Sequence, residues 1–269
     1  MEFLGIDVGG TKIAAGIVDG DGRVVRRERV PTPQAGSDVV FDALAACVET
    51  VLAGAIPAGV GVACAGPIDI AAGTVSPLNI AGWRGFPLRE RVSRLFPDVP
   101  VELANDGLCM ALGEHWRGAG AGSRAMLGIV VSTGVGGGLV LDGRGHPGRS
   151  GNAGHFGHMV VEDDGPACVC GGRGCVEAIA SGPNLARWAR TQGWRTTENA
   201  DAAVLAADAR AGDAIAKAAF SRGGRAVGVA IAGATALIDL DVAVVGGGVA
   251  QAGELLFAPI RAAVTEHVG

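Results

Sequence analysis

The sequence contains no tyrosine, and aromatic residues make up only 4% of it. Glycine is abundant instead, with 46 residues, and hydrophobic residues amount to 49% of the chain. A core of small side chains favours closely packed layers. Charged residues are also scarce, at 18%, and the net charge is −5. This mild acidic balance argues against a nucleic-acid-binding surface, so we expect no nucleic acid partner.

Segments that would direct the chain to or through a membrane are missing as well. The longest uncharged run, residues 50–68, contains two prolines and several glycines, which exclude a single spanning helix. The N-terminus lacks the basic region and cleavage site of a secretory signal. Six cysteines in a chain of 269 residues fit a reducing compartment better than a disulfide scaffold. We therefore expect a cytoplasmic protein with no membrane partner.

Two familiar nucleotide-binding motifs are absent. No Gly-x-x-x-x-Gly-Lys-Ser/Thr occurs, and no Gly-x-Gly-x-x-Gly opens a βαβ unit. Instead, residues 4–20 and 127–143 resemble each other. Both start with Leu-Gly-Ile, pass through a polar glycine-rich turn and end with Asp-Gly at the same offset. Each segment predicts a β-hairpin, and the pair indicates a duplicated α/β architecture, although chance similarity between glycine-rich hairpins is the alternative.

The tips of these hairpins are suited to phosphate. Successive N–H groups in a glycine-rich turn form an anion-binding nest, to which threonine hydroxyls and a lysine add donors and charge. An aspartate at a strand end can hold Mg²⁺ through water. The alternative is that the glycines serve only tight turns, but a third glycine cluster favours nucleotide binding. The residues assigned to this function are Asp7, Gly9, Gly10, Thr11, Lys12, Thr133, Gly134, Gly246, Gly247 and Gly248.

A short loop holds four soft metal ligands. They are His158, Cys168, Cys170 and Cys175, with glycines between and around the cysteines. Three thiolates and an imidazole suit tetrahedral Zn²⁺, and four protein ligands leave no open position, so the metal would be structural. The alternative is three buried cysteines beside an unrelated histidine. Short Cys/His tracts at this density favour zinc.

The remaining chain alternates strands with helices. Strands are predicted at 23–30, 60–64, 101–103 and 242–245, and helices at 39–52, 88–96, 107–116, 184–192, 200–209 and 213–237. Ser37 and Asp38 are expected to cap the first helix. This pattern indicates a mostly parallel, layered α/β sheet. The Asn105-Asp106 step, just before a helix, is the predicted boundary between an N-terminal lobe, 1–106, and a C-terminal lobe, 107–269.

Six motifs in a fixed order resemble the ROK family (repressor, open reading frame, kinase), in particular its bacterial glucokinases. They cover the whole chain and are Asp7-x-Gly-Gly-Thr-Lys, Ser76-Pro-x-Asn79-x-x-Gly-Trp83, Asn105-Asp106, Ser132-Thr-Gly-x-Gly-Gly-Gly138, a glycine-containing segment ending at His158, and Cys168-x-Cys-Gly-x-x-Gly-Cys-x-Glu177. The resemblance implies a two-lobed, actin-like (ribonuclease H-like) ATPase fold. It also implies that ATP–Mg²⁺ and a hexose meet in the cleft between the lobes.

Residue roles follow from the resemblance position by position. Asp106 matches the general base that takes the proton of the sugar 6-hydroxyl during phosphoryl transfer. Without the resemblance, the commoner role of such an Asp before a helix is an N-cap. The glycines at 246–248 match the adenosine side of the nucleotide site. The residues matching sugar contacts are Asn79, Asn105, Asp106, His155, His158 and Glu177.

Two departures from the family pattern stand out. Relatives usually carry Glu three residues before the zinc histidine, where this chain has His155. We expect altered discrimination at the 1- and 2-hydroxyls with catalysis intact. Relatives usually also continue past the equivalent of Gly269 with a strand and a final helix that pack on the N-terminal lobe. Either the sequence is truncated there, or the packing of that lobe and the closure of the lobes differ from the family.

Several alternatives remain open at this stage. The sugar is expected to be glucose, but fructose, mannose or an N-acetylhexosamine would suit the same motifs. Polyphosphate could replace ATP as the donor. A sugar-responsive ROK repressor would need a DNA-binding segment before the first strand, and a purely structural zinc protein would not need Asp106 or two phosphate turns. The family often forms dimers or tetramers, so a homo-oligomer is expected.

Overall fold

The protein, described by a computed structural model over residues 1–197 and 199–268, forms two compact units. The first comprises Met1–Cys109 and Pro147–Ala153, and the second comprises Met110–His146 and Gly154–Gly269. The helix that follows Asn105 contributes residues to both units. Each unit contains one main β-sheet and its own hydrophobic core.

The first unit is built on a five-stranded sheet. Its strands and helices are β1 (Glu2–Val8), β2 (Lys12–Asp19), β3 (Val24–Pro31), α1 (Ser37–Leu52), β4 (Val60–Cys64), β5 (Ile68–Asp69), β6 (Thr74–Val75), α2 (Leu88–Leu95) and β7 (Val101–Asn105). The main sheet has the order β3-β2-β1-β4-β7, in which β1, β2 and β3 are antiparallel and β4 and β7 run parallel to β1. Strands β5 and β6 form a separate two-stranded ribbon.

Alternation along β1 explains how a functional side chain leaves the core. Leu4, Ile6 and Val8 are buried, whereas Gly5 and Asp7 between them are exposed. Because successive side chains of a strand point to opposite faces, the apolar set packs beneath the sheet and the carboxylate faces away from it. Asp7 therefore lies at the carboxyl end of a central strand on the solvent side.

The second unit is built on a four-stranded sheet with the order β10-β9-β8-β11. Its strands and helices, together with the helix shared with the first unit, are α3 (Asp106–Arg117), β8 (Ala125–Val131), β9 (Val135–Leu141), β10 (Arg144–Gly145), α4 (Val176–Ala180), α5 (Gly182–Thr191), α6 (Ala202–Ala211), α7 (Ala214–Ile238), β11 (Val242–Gly246) and α8 (Glu254–His267). β8 pairs antiparallel with β9 and parallel with β11.

The abundance of glycine has a structural reason in α7. A Cβ atom on Gly224 would lie 2.7 Å from the carbonyl oxygen of Leu256, and one on Gly228 would lie 2.6 Å from that of Ile260, both on α8. Glycine inside a helix costs about 1 kcal/mol relative to alanine. Here it lets the two helix backbones approach closely.

The predicted duplication is confirmed at the level of strand order. In both sheets an antiparallel hairpin (β1/β2 and β8/β9) is extended by a third antiparallel strand and flanked on its other side by a parallel strand. The two Asp-Gly turns differ. Asp142 and Gly143 have φ values of 49° and 75°, as a two-residue hairpin turn requires. Asp19 instead accepts hydrogen bonds from the N–H groups of Asp21 and Arg23 in a longer turn.

Most predicted elements are present with small shifts at their ends, but both main sheets are mixed and not mostly parallel, because each contains an antiparallel hairpin, and one predicted cap is wrong. The N-cap of α1 is Gly36, which makes no side-chain capping bond, and Ser37 is already helical. Of the cysteines outside the metal loop, Cys47 and Cys64 are buried and Cys109 is half-buried. Among the described residues, no helix combines the length and apolar character needed to cross a lipid bilayer.

Candidate active site

The turn between β1 and β2, residues 9–11, is the first of the two turns predicted to bind phosphate, and we call it the first phosphate turn. The N–H of Gly9 donates to the carbonyl of Lys12 at 3.0 Å and closes the turn. Over residues 1–197 and 199–268, no acceptor is found for the N–H groups of Gly10 and Thr11. Two adjacent free N–H groups in a glycine turn are the donors that an anion nest requires.

Gly10 also contacts a predicted sugar residue. A Cβ atom on Gly10 would lie 2.6 Å from the Cβ of Asn79, so only glycine leaves room for this side chain. Asn79 itself is exposed. The phosphate turn and one predicted sugar contact are thus in direct contact within the first unit.

Three parallel strands bring the other polar groups of this unit to one sheet edge. In the register of β1, β4 and β7, Val8 pairs with Cys64, and Cys64 pairs with Asn105. Asp7 and Asp106 are therefore at the carboxyl ends of strands that flank β4. Adjacent strands lie about 4.8 Å apart, so these groups share one small region of the sheet edge.

Asn105 and Asp106 form the junction between β7 and α3. The Oδ1 atoms of both side chains accept a hydrogen bond from the N–H of Gly107, at 3.0 Å and 2.8 Å respectively. Asn105 is buried and Asp106 is exposed. Only the Asn105 bond, which reaches two residues on, has the spacing of an N-cap; the bond of Asp106 reaches its immediate neighbour and uses only Oδ1. The second oxygen of Asp106 accepts no hydrogen bond from any described residue.

Electrostatics link the two carboxylates. Asp7 is in contact with solvent, but its partial desolvation by the surrounding protein raises the pKa of its carboxyl. The negative charge of Asp106 raises this pKa further, whereas the positive charge of Lys12 lowers it. The same two charges add to burial at nearby thiols: they help to raise the pKa of Cys64 far above its usual range and that of Cys109 to about 11. The region carries excess negative charge, which a divalent cation would offset.

The four predicted metal ligands converge in the second unit. The ligand atoms of His158, Cys168, Cys170 and Cys175 all lie within 4.8 Å of one another. Cys170 Sγ is 3.7 Å from Cys175 Sγ, and Cys168 Sγ is 3.8 Å from Nδ1 of His158. A tetrahedral ion with Zn–S bonds of about 2.3 Å places its sulfur ligands about 3.8 Å apart. The donor set and its spacing therefore fit Zn²⁺.

The backbone of this loop is arranged around the ligand cluster. The N–H of Cys168 donates to the carbonyl of Gly172, and that of Gly171, with a φ of 91°, donates back to Cys168. The N–H of Gly172 is the main cause that lowers the pKa of Cys170, whereas burial raises that of Cys175 to about 12. The backbone of the loop thus favours the thiolate form of Cys170 at the exposed tip, whereas Cys175 is buried at the base of the loop.

Two histidines lie at the edge of the cluster. His155 directly precedes the short 3-10 helix Phe156–His158. The ring centroids of His155 and His158 lie 5.8 Å apart in an edge-on arrangement. Nδ1 of His158 faces Cys168, so its Nε2 atom is directed away from the cysteines. His155 therefore lies beside the metal cluster, next to a ligand.

The metal loop continues directly into α4, which carries Glu177. A bridge between Val160 and Cys175 and a hydrogen bond from Val176 N–H to Met159 fix the start of this helix. Oε2 of Glu177 accepts a hydrogen bond from the N–H of Val135 at 2.9 Å. The predicted sugar contact Glu177 is therefore also a partner of the second phosphate turn.

The second phosphate turn joins β8 to β9 and repeats the pattern of the first. The N–H of Ser132 donates to the carbonyl of Gly134 at 2.8 Å. Within the described chain, the N–H groups of Thr133 and Gly134 have no acceptor. A Cβ atom on Gly134 would lie 2.7 Å from Oε2 of Glu177, so glycine is required for this carboxylate to reach the turn.

The third glycine cluster follows β11 and packs on the same turn. Gly246 ends the strand, and Gly247, with a φ of 97°, lies so close to the carbonyl of Val131 that a side chain would overlap it. A Cβ on Gly248 would lie 3.7 Å from Oγ of Ser132. Because β11 is parallel to β8, both glycine segments lie at the same end of the sheet.

A cavity of about 570 Å³ opens between these segments and the helices α5 and α6. Thr133 and Gly248 were predicted from the sequence; Pro183, Arg187 and Gln251 were not. The N-terminus of α5 lies at this cavity, since the N–H of Gly182 donates to the carbonyl of Ser132. No sequence motif indicates these three residues, because they approach the turn only through tertiary packing.

Comparisons with known proteins find sugar kinases that are similar to this chain in sequence. The glucokinase of Streptomyces coelicolor is 35% identical over 272 residues, covering 96% of this chain and 85% of the relative. The N-acetylmannosamine kinase of Yersinia pseudotuberculosis is 36% identical over 256 residues, covering 93% and 83%. Both relatives therefore extend over nearly all of this chain.

Solved structures give the same result. The ROK hexokinase of Thermus thermophilus matches with 38% identity and a TM-score of 0.86, over 99% of this chain and 90% of its own. The ROK family glucokinase of Streptomyces griseus, solved with glucose and AMPPNP, matches with 36% identity and a TM-score of 0.84, over 100% and 90%. The actin-like ATPase fold expected from the motifs is thereby confirmed. The ROK family model matches residues 3–269, and the chain belongs to the ROK family.

Proposed function

We propose that this protein is an ATP-dependent hexose kinase that phosphorylates the 6-hydroxyl of glucose or a closely related sugar. The observation that carries the proposal is the pair of glycine turns, each with two N–H groups that have no acceptor among the described residues, together with Asp106, whose second carboxylate oxygen accepts no hydrogen bond from them. The glucokinases to which the chain is similar support the same assignment. We also propose that the two units correspond to the two lobes of the kinase.

ATP is proposed to occupy the cavity beside the second turn. A volume of about 570 Å³ is ample for an adenosine group, and Gly248, the last residue of the third glycine cluster, borders it. The N–H groups of Thr133 and Gly134, and those of Gly10 and Thr11, serve as donors to phosphate oxygens. Their hydrogen bonds neutralise charge that develops on the transferring phosphoryl group.

Lys12 and Asp7 complete the phosphate machinery of the first unit. Lys12 adds a positive charge directly after the free N–H groups of the turn. Asp7 would hold Mg²⁺ through water, and the ion would supply positive charge that offsets the charge of the phosphates. The excess negative charge at Asp7 and Asp106 supports a cation at this position.

Asp106 is proposed as the general base. Its Oδ1 atom is held by Gly107 N–H, which orients the carboxylate, and its second oxygen is available to accept the proton of the sugar hydroxyl. As that proton leaves, the hydroxyl oxygen becomes a competent nucleophile for in-line attack on the γ-phosphoryl group. Asn79, Asn105, His155, His158 and Glu177 are proposed to bind the other sugar hydroxyls.

The metal cluster is proposed to hold a structural zinc ion through His158, Cys168, Cys170 and Cys175. Such an ion supplies no reaction chemistry; it stiffens the loop from which α4 and Glu177 start. The fit of the ligand spacing to a tetrahedral ion supports this role.

A second candidate substrate is an N-acetylhexosamine. Two observations favour it: the identity to an N-acetylmannosamine kinase, 36%, is close to the 35% identity to a glucokinase, and His155 replaces the glutamate expected near the zinc histidine. A neutral imidazole both donates and accepts, unlike a carboxylate, and alters the hydrogen bonds offered to groups at the 1- and 2-positions. The homo-oligomer and the cytoplasmic location remain predictions.

A coupled assay over a sugar panel tests the proposal. Purified protein would be supplied with ATP and Mg²⁺ and with glucose, mannose, fructose, N-acetylglucosamine or N-acetylmannosamine, with polyphosphate as an alternative donor. ADP release dependent on one hexose, with the phosphate on its 6-oxygen by NMR, is the expected result. Absence of transfer to every sugar from both donors would contradict the proposal.

A further inference from the structure

Thr32 is one of the few polar side chains that are fully buried in the part of the chain described, with 6% of its surface exposed. It follows β3 directly and precedes Pro33. No motif or family resemblance assigned it a role. Because a buried hydroxyl needs a hydrogen-bond partner, its contacts show what it stabilises.

The partner of Thr32 is the first phosphate turn. Its Oγ1 donates to the carbonyl of Gly9 at 2.6 Å, and its N–H donates to the carbonyl of Thr11 at 3.1 Å. Two residues on, Nε2 of Gln34 donates to the carbonyl of Gly10 at 3.3 Å. Three consecutive carbonyls of the turn are therefore held by one short segment after β3.

The planarity of the peptide bond links these contacts to the directions of the free N–H groups. In a trans peptide the carbonyl of one residue and the N–H of the next lie in one plane and point in opposite directions. Fixing the Gly9 carbonyl therefore aims the N–H of Gly10, and fixing the Gly10 carbonyl aims that of Thr11. These are the two N–H groups of the turn that have no acceptor in the described chain.

We propose that Thr32, assisted by Gln34, is a positioning residue that aims the N–H groups of Gly10 and Thr11 at the phosphate of the nucleotide. The inference rests on the proposed function. Glycine turns are conformationally free, and without the two side chains the peptide planes could rotate and lose their alignment. The hydroxyl thus supplies preorganisation that glycine cannot provide itself.

Thr32→Val is the sharpest perturbation, since it keeps the shape of the side chain. The variant removes the donor to Gly9, and a methyl carbon cannot approach an oxygen closer than about 3.3 Å, so the turn must move away by several tenths of an ångström. We expect kcat/KM for ATP to fall by about ten- to a hundredfold, while the Kd for glucose stays within about twofold. Thr32→Ser restores the hydroxyl and should recover most of the loss.

Two further variants separate positioning from folding. Gln34→Leu removes the donor to Gly10 from an exposed residue and should cause a smaller, severalfold loss in kcat/KM for ATP. Thr50→Val is the matched control, because its hydroxyl also bonds a carbonyl, that of Ala46, but on α1. Thr50→Val should leave the kinetics unchanged. If Thr32→Val does not fold, Gln34→Leu decides the question through the same ATP parameters, because it removes a donor to the turn from an exposed residue.

The outcomes distinguish this inference from the proposed function. Wild-type protein that transfers no phosphoryl group to any sugar contradicts the function itself. Active wild-type protein whose Thr32→Val variant lowers the Tm but keeps kcat/KM for ATP overturns the inference, since Thr32 would then only support packing. A rise in KM for ATP and a fall in kcat with unchanged glucose affinity, rescued by serine, supports it.

Discussion

Glu177 offers the most informative single change, because it belongs to the proposed sugar contacts and also bonds the second phosphate turn. Its Oε2 atom accepts the N–H of Val135 at 2.9 Å, and the preceding carbonyl, that of Gly134, accepts the N–H of Ser132. The Gly134–Val135 peptide is therefore fixed at both of its polar groups. We expect changes at Glu177 to affect nucleotide binding as well as sugar binding.

The size of the effect follows from the type of hydrogen bond that is lost. Glu177→Gln keeps an acceptor but removes its charge, and charge-assisted bonds exceed neutral ones by about 1 kcal/mol, or roughly fivefold in affinity. Glu177→Ala leaves the N–H of Val135, a residue only 6% exposed, without its acceptor. That loss costs about 1–3 kcal/mol, or about five- to 150-fold.

Calorimetric titration measures the two ligands separately. AMPPNP with Mg²⁺ and glucose would each be titrated into wild-type protein and into both variants. The control is Glu254→Gln, which makes the same chemical change at an exposed ion pair with Arg261 on α8. Weaker AMPPNP binding in the order wild type, Gln, Ala is the expected result. Unchanged AMPPNP affinity in Glu177→Ala, with only glucose binding impaired, would refute the reasoning.

Three further predictions concern the metal, the carboxylates and the sugar specificity. Cys170→Ser should lose zinc, lower the Tm and weaken sugar binding, whereas Val169→Ser in the same loop should not; elemental analysis of active wild-type protein without zinc would contradict this. Asp7→Asn should raise the Tm near pH 7, because a carboxyl whose pKa is raised by folding is destabilising when ionised, and the gain over wild type should shrink toward pH ~4. His155→Glu should change the ratio of kcat/KM for glucose over mannose and 2-deoxyglucose, and an unchanged ratio would exclude a sugar contact.

The sequence was most informative where local chemistry determines structure. The strand predicted at 60–64 is β4 in the structure, and the ligand spacing of the metal loop predicted a cluster that is present. Both depend on neighbours close in the chain: a buried apolar run between turns, and cysteines separated by glycines. The hairpin echo predicted the shared strand order of the two sheets for the same reason.

Contacts between distant segments could not be predicted in this way. Thr32 lies 23 residues from the turn it bonds, and a single threonine before a proline carries no pattern. Arg187 and Gln251 border the cavity only because α5 and the end of β11 pack near the second turn. The missing cap at Gly36 has a similar origin, since α1 packs through Val40, Phe41 and Leu44 and needs no side-chain cap to be stable.

The proposed role of Asp106 as the general base of phosphoryl transfer is tested most directly by Asp106→Asn, which keeps the shape of the side chain and its acceptor for Gly107 N–H. Formation of hexose 6-phosphate from ATP and glucose would be followed in wild type and variant, with glucose affinity measured by calorimetry. We predict that kcat falls by about two to four orders of magnitude while the Kd for glucose changes little. Near-normal turnover in a correctly folded Asp106→Asn variant would contradict the role of Asp106 as general base and leave it only the structural role at the start of α3.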